Sequence, residues 1–182
     1  MVERFLTAGF DVTAPRRADV DLTDPEAVQA AVAAAAPLHA VVNLAGGFAA
    51  GQHVGETPVE DFEANFTLNL RPTYNVCHAA IPHLASDGAI VCTSSATARE
   101  PFGGAAGYAA SKAAVTALAR TLAKEGVRCN VVSPSLIDTP ANRESMPESA
   151  WGKLVPPQRI AELILWLCSP ESAALNGAEL PV

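Results

Sequence analysis

A chain of 182 residues with 49% hydrophobic and 17% charged content carries enough apolar material for one compact domain, which excludes a disordered protein. Its net charge of −7, with no basic cluster beyond Arg16-Arg17, excludes a surface that tracks nucleic-acid phosphates. Cys77, Cys92, Cys129 and Cys168 form no Cys-x-x-Cys, and no His stands at ligand spacing from them. Reduced thiols in a cytoplasmic protein, with no metal, are therefore expected.

Met1-Val2-Glu3-Arg4 is charged at once and is no signal peptide. From Phe10 to Ala14 and from Ala18 to Asp21 the composition predicts short strands. Asp24-Pro25-Glu26 supplies a cap, a first-turn proline and an acid, predicting a helix to about Ala36. That Ala-rich stretch contains Gln29 and ends at Pro37, so it reads as a soluble helix, and no membrane contact is expected. Ala40–Leu44 is a buried-strand run ending at Ala45-Gly46-Gly47. A long helical region follows from about Pro58 to Leu84, with interruptions expected near Pro72 and Pro82.

Ala89–Thr93 is the next strand, ending at Ser94-Ser95, and a helix from about Gly107 to Glu125 stops at Gly126. Val127–Val132 is a further strand; a loop from Pro134 to Pro157, a helix over Arg159–Cys168 and a last strand over Gly177–Val182 complete the chain. Apolar strands separated by helices imply a parallel sheet covered on both faces, in which ligands bind outside the carboxyl ends of the strands. Asn43 with Gly46, Ser95, and Ser135 through Thr139 all follow such ends, which points to one site.

The chemistry concentrates at Tyr108-Ala109-Ala110-Ser111-Lys112, with Ser95 thirteen positions upstream of the tyrosine. Tyr and Lys at i and i+4 project from one helix face. An ammonium beside a phenol favours the phenolate, so the ring can exchange a proton with a substrate. A hydroxyl at the end of a neighbouring strand can hold the substrate oxygen. Trp151, with Met146, is a candidate for the substrate pocket, whereas Trp166 is expected in the core beside Leu163 and Leu167.

These residues together resemble the short-chain dehydrogenase/reductase family over nearly the whole chain. Asn43-Leu44-Ala45-Gly46 resembles its Asn-Asn-Ala-Gly motif, and Pro134 through Thr139 its Pro-Gly loop, with Ser135 in place of the glycine. Several segments, among them Ala45-Gly46-Gly47-Phe48 and Asp138 through Arg143, are similar to dihydropteridine reductases, although that group lacks a serine corresponding to Ser95. The resemblance implies a Rossmann-like, doubly wound α/β domain with a catalytic tetrad of Asn69, Ser95, Tyr108 and Lys112. It also implies a dinucleotide site drawing on Asp21, Leu22, Asn43, Ala45, Gly46, Tyr108, Lys112, Pro134, Ile137 and Thr139. Asn69 would hold a relay water, Asp21-Leu22 would contact the adenine, Ile137 would touch the nicotinamide carboxamide, and Thr139 its amide or the phosphates. Asn43 has a second reading, satisfying loop backbone, and Thr139 a second as a helix cap.

Arg16-Arg17 would suit a 2′-phosphate, so NADP is favoured slightly over NAD. Val2–Gly9 resembles the end of the family's first helix; about 20 residues bearing its first strand and Gly-rich turn are expected to be absent. Residues 1–24 are then expected to be shifted or loosely held. Two readings follow: an NAD(P)-dependent oxidoreductase acting on a carbonyl, alcohol or imine, or a non-catalytic remnant that binds no cofactor. A small-molecule substrate and a homodimer or homotetramer are the expected partners.

Overall fold

Ala89 through Cys92, Val131-Val132 and the half-buried Ala40-Val41-Val42 are unbroken apolar runs, as expected of strands covered on both faces. The computed structural model, which describes residues 1–182, joins them in a parallel four-stranded sheet of order β1-β2-β3-β4. The strands are β1 (Leu38–Asn43), β2 (Leu84–Thr93), β3 (Cys129–Ser133) and β4 (Glu179–Pro181). The helices are α1 (Val2–Thr7), α2 (Pro25–Ala34), α3 (Val59–Ala80), α4 (Ala106–Lys124), α5 (Pro140–Glu144) and α6 (Pro157–Leu167). No helix is long and apolar enough to cross a membrane.

Strand alternation divides the core in two. Ile90, Cys92, Cys129 and Val131 face one side, against Cys77 and Ala80 of α3 and Val115, Ala119 and Leu122 of α4, with Val32 of α2 at the margin. Val91 and Val132 face the other, against Phe5 of α1 and Ile160, Ile164 and Leu167 of α6. Helices thus cover both faces, as the doubly wound expectation requires. All four cysteines are buried and free. Burial pushes the Cys168 thiol up to about 12, and sulfur neighbours Cys129 and Cys77, with burial, raise Cys92.

The register aligns the strand ends. Asn43 pairs with Cys92, Thr93 with Val132, and Ser133 with Pro181, so the chain leaves every strand at one edge. β2 reaches this register through an irregularity between Leu38 and Ala40 of its partner. Gly88 permits it: a Cβ there would lie 2.8 Å from the Leu38 carbonyl oxygen.

Four sequence expectations require correction. Phe10–Ala14 is not a strand, because β-rich composition needs a ladder partner and β1 pairs with β2 alone. Phe10 instead packs its ring 5.2 Å from Phe5. Ala18–Asp21 is a turn, with the Asp19 and Val20 N–H groups both donating to the Arg16 carbonyl. α3 passes through Pro72 without a break; Pro72 is buried within the helix, and the Thr73 hydroxyl beside it donates to the Asn69 carbonyl at 2.7 Å. The break near Pro82 is present as a 3-10 turn, Ile81–His83. Finally, the Pro134–Pro157 loop contains α5 and a 3-10 segment, Glu148–Lys153.

Among residues 1–24 only Phe5 is buried. The α2 start is as expected: Asp24 accepts from the Glu26 and Ala27 N–H groups, and Pro25 opens the helix.

Candidate active site

Three loops meet at the carboxyl edge, following β1, β2 and β3. The Ser94 N–H donates to the Val132 carbonyl and the Ala96 N–H to the buried Pro134 carbonyl, both at 2.9 Å. Ser95 and Pro134 therefore lie on adjacent chain segments. Ser95 caps a 3-10 turn, Ala96–Ala98, its Oγ accepting from the Thr97 N–H at 3.2 Å. That bond uses an oxygen lone pair and leaves the hydroxyl proton free to donate. α4 packs directly against this turn.

α4 turns Lys112 inward toward the sheet. Its residue surface is 5% exposed, and Nζ donates to the Thr93 carbonyl, two residues before Ser95, at 3.1 Å. Burial pushes its pKa down from 10.5 to about 8. An ammonium has three donors, and one is used here. Tyr108 stands one turn earlier on the same face, half-buried, with its ring edge-on to Phe48 at a centroid distance of 5.0 Å.

A buried polar chain positions these groups. Asn43 Nδ2 donates to Thr73 Oγ1 at 2.8 Å, and that hydroxyl donates to the Asn69 carbonyl. Asn69 Oδ1 accepts from the Gly47 N–H at 2.9 Å, and Nδ2 donates to Ser111 Oγ at 3.1 Å. Ser111 Oγ in turn donates to the Tyr108 carbonyl at 2.8 Å. Each atom of the Asn69 amide retains one unused hydrogen-bonding site. A parallel set, Thr116 Oγ1 to Ser94 Oγ and Ser94 Oγ to the Lys112 carbonyl, fastens α4 to the end of β2. Thr73, Ser94, Ser111 and Thr116 escaped the sequence reading; the signals were Thr73 at i+4 from Asn69 and Ser111 beside Lys112.

Gly46 is where Asn69 and Lys112 converge. A Cβ at Gly46 would lie 2.6 Å from Asn69 Oδ1 and 3.0 Å from Lys112 Nζ, and its φ is +147°. Gly46→Ala is accordingly expected to cost about 1–3 kcal/mol. Urea denaturation measures this, with Gly51→Ala, where a Cβ meets nothing within 4 Å, as the comparison.

The remaining dinucleotide residues divide. Asn43 spends both amide atoms on the protein, its Oδ1 accepting from the Ala45 N–H at 3.1 Å. Its geometry matches the backbone-satisfying alternative. Thr139 caps α5, accepting from the Asn142 N–H at 3.2 Å. Ile137 bridges to Val155 beside the second core, and its carbonyl accepts from Asn142 Nδ2. Asp21 is exposed, and the Thr23 N–H and hydroxyl hold its carboxyl below the usual range. The Leu22 carbonyl accepts from Asn75 Nδ2 at 2.9 Å, six residues and about 9 Å along α3 from Asn69. Arg16 and Arg17 are exposed, with Arg16 Nε 3.8 Å from Asp19.

Trp151 is half-buried with Arg143 4.9 Å over its ring, whereas Trp166, expected in the core, is 41% exposed. α6 buries the line Ile160, Ile164 and Leu167, and Trp166 falls on its rim.

A nicotinamide cofactor fits these residues. A buried ammonium with two unspent donors suits ribose hydroxyls, and the crowded Gly46 shapes the floor beside it.

Residues 4–182 match the family described as Enoyl-(Acyl carrier protein) reductase. The chain is 35% identical over 133 residues to the 3-oxoacyl-(acyl-carrier-protein) reductase of Thermotoga maritima, a match covering 65% of this chain and 54% of that protein. Among solved structures, a Serratia marcescens short-chain dehydrogenase/reductase variant superposes with a TM-score of 0.83 at 29% identity, covering 97% of this chain and 77% of that one. A blue fluorescent protein from a metagenomic library, solved in complex with NADPH, gives a TM-score of 0.79 at 31% identity, covering 90% of this chain and 72% of that one. None of these matches singles out the dihydropteridine reductases. The chain belongs to the short-chain dehydrogenase/reductase family of enzymes.

Proposed function

We propose that this chain is an NAD(P)-dependent oxidoreductase that interconverts a carbonyl or imine with the corresponding alcohol or amine. The observation that carries the reading is Lys112: a buried ammonium at the end of β2, one helical turn from Tyr108, with two donors unspent. Burying a cation is costly, and one carbonyl partner does not account for it. A nicotinamide, when bound, supplies or accepts the hydride.

Tyr108 gives the proton to the substrate oxygen or nitrogen, or takes it back in the reverse direction. The Ser95 hydroxyl donates to the same atom and holds it beside the phenol. Lys112 binds the nicotinamide ribose through its free N–H groups and places a positive charge one helical turn from Tyr108. The Asn69 amide, braced by Gly47 and Ser111, positions a water that relays protons toward Lys112. Ala45, Gly46, Pro134, Ile137 and Thr139 form the loop surface bordering the cofactor, with Asp21 and Leu22 on the α3 flank. NADP is favoured over NAD by the exposed Arg16 and Arg17 and by the NADPH complex among the similar structures.

The outer faces of α3 and α4 leave an apolar groove lined by Phe66, Leu70, Tyr74 and Leu118. It is the proposed seat of a homodimer or homotetramer contact. Free buried thiols support a cytoplasmic location.

Isotope transfer tests the reaction. Incubation with a ketone panel and NADPH carrying deuterium at both nicotinamide C4 positions is expected to yield an alcohol one mass unit heavier, with the label on the former carbonyl carbon. An alcohol carrying no label would refute hydride transfer from the nicotinamide, and no alcohol from any ketone would refute the carbonyl reading.

A further inference from the structure

The loop after β1 and the loop before α4 are strapped together. The Gly51 N–H donates to the Gly104 carbonyl at 2.9 Å. The His53 ring lies against Gly103, where a Cβ would sit 3.0 Å from His53 Cε1. Each loop carries one phenylalanine. Phe48 is 65% exposed and Phe102 is 53% exposed, with ring centroids 6.4 Å apart. Phe48 also meets Tyr108 edge-on, so the three rings form one aromatic run that ends on the phenol.

Single exposed apolar side chains are ordinary on a protein surface. Two phenylalanines in contact, on strapped loops and joined to a half-buried tyrosine, are a built patch that forgoes burial until something covers it. The charge around the site narrows what that is. Arg99, four residues after Ser95, lies 3.7 Å from the largely buried Glu179, which also accepts from Ser133 Oγ. Arg143 makes two hydrogen bonds to Asp138. Arg143 is thus committed to a carboxylate by hydrogen bonds, and the charge of Arg99 faces Glu179 at ion-pair distance.

We infer that Phe48 and Phe102 form the substrate wall of the site, and that the substrate is an uncharged carbonyl compound with an aryl or alicyclic ring beside the reacting carbon. The inference rests on Tyr108 being the proton donor, as proposed above. A ring laid on Phe48 in offset or edge-on geometry covers the exposed apolar surface and leaves the adjoining carbonyl oxygen at the phenol and the Ser95 hydroxyl. A short aliphatic ketone leaves the wall uncovered.

Saturation-transfer NMR on the 182-residue chain, with and without NADPH, tests this using acetophenone, acetone and acetoacetate as probes. Acetophenone is expected to bind most tightly, and its Kd to rise at least about tenfold in Phe48→Ala/Phe102→Ala. Phe102→Ala alone, which leaves the Phe48–Tyr108 contact intact, is expected to raise it about threefold. Acetone or acetoacetate binding as well as acetophenone, or an unchanged acetophenone Kd in the double variant, would overturn the inference. Sedimentation velocity on the same variants is expected to show an unchanged assembly; dissociation would assign the patch to a contact between copies. NADPH fluorescence, recorded in parallel, separates this inference from the proposed function. Acetophenone binding without NADPH binding would keep the wall and defeat the cofactor reading, and the converse would defeat the wall alone.

Discussion

Tyr108→Phe is expected to lower kcat for carbonyl reduction by between about a hundredfold and ten-thousandfold, the usual contribution of a positioned acid or base. The variant removes one oxygen and disturbs little else. Ser111 holds the residue through its backbone carbonyl, which phenylalanine retains, and the ring contact with Phe48 is apolar. Stability should therefore stay within about 0.5 kcal/mol of the parent, as for substitutions that remove no buried contact. NADPH consumption followed by absorbance, with urea denaturation alongside, measures both effects. A variant that reduced a ketone as fast as the parent would remove Tyr108 from proton transfer.

Lys112→Met is expected to separate activity from stability. Burial lowers the folded-state pKa of Lys112 from 10.5 to about 8. The ammonium therefore costs stability at every pH below about 8. That cost is relieved as pH rises from about 8 to 10.5, where the folded chain has released the proton and the unfolded chain has not. The gap corresponds to about 3 kcal/mol. Methionine has a similar length and no charge, but loses the bond to the Thr93 carbonyl, worth about 1 kcal/mol net. The variant should thus be about 1–2 kcal/mol more stable than the parent at pH 7, and the advantage should shrink toward pH 10.5. Turnover should fall by at least about a hundredfold, since the variant removes the ammonium proposed to hold the nicotinamide ribose beside the phenol.

The difference between variant and parent is the quantity to follow, because Cys168 pulls the absolute profile the other way. Its thiol, raised to about 12, stays protonated in the fold while the unfolded thiol titrates from about 9, so stability falls across that interval. Cys168 is present in both proteins and cancels. A Lys112→Met variant less stable than the parent at pH 7 would show that the ammonium is structurally required.

The parts of this fold legible in sequence are those whose physics is local or strictly periodic. Asp24-Pro25-Glu26 opened α2 as expected, because a cap and a first-turn proline act within four residues. The apolar runs Ala40–Val42 and Ala89–Cys92 became strands because only a buried parallel sheet accommodates such sequences. What failed depends on partners. Phe10–Ala14 has strand composition but no ladder partner, and no local signal reports that. Pro72 reads as a helix breaker, yet it is buried in the middle of α3, where tertiary packing overrides its local preference.

The site behaves in the same way. Ser95, Lys112 and Gly46 were identifiable by type and position and Asn69 through the family resemblance, and the structure draws Asn69 and Lys112 together over Gly46. Thr73, Ser111 and Ser94 were invisible because hydroxyls are common, and their roles come from three elements meeting. Phe48 and Phe102 lie far apart in sequence and become one surface only through the Gly51–Gly104 strap.

Titration of the 182-residue chain with NADPH and with NADH, followed by nicotinamide fluorescence, bears most directly on the claim that the Tyr108–Lys112 pair serves a bound nicotinamide. The expected result is saturable binding at micromolar concentration, tighter for NADPH and weakened in Lys112→Met. Failure of either nucleotide to bind at millimolar concentration, or equal binding by parent and Lys112→Met, would contradict it.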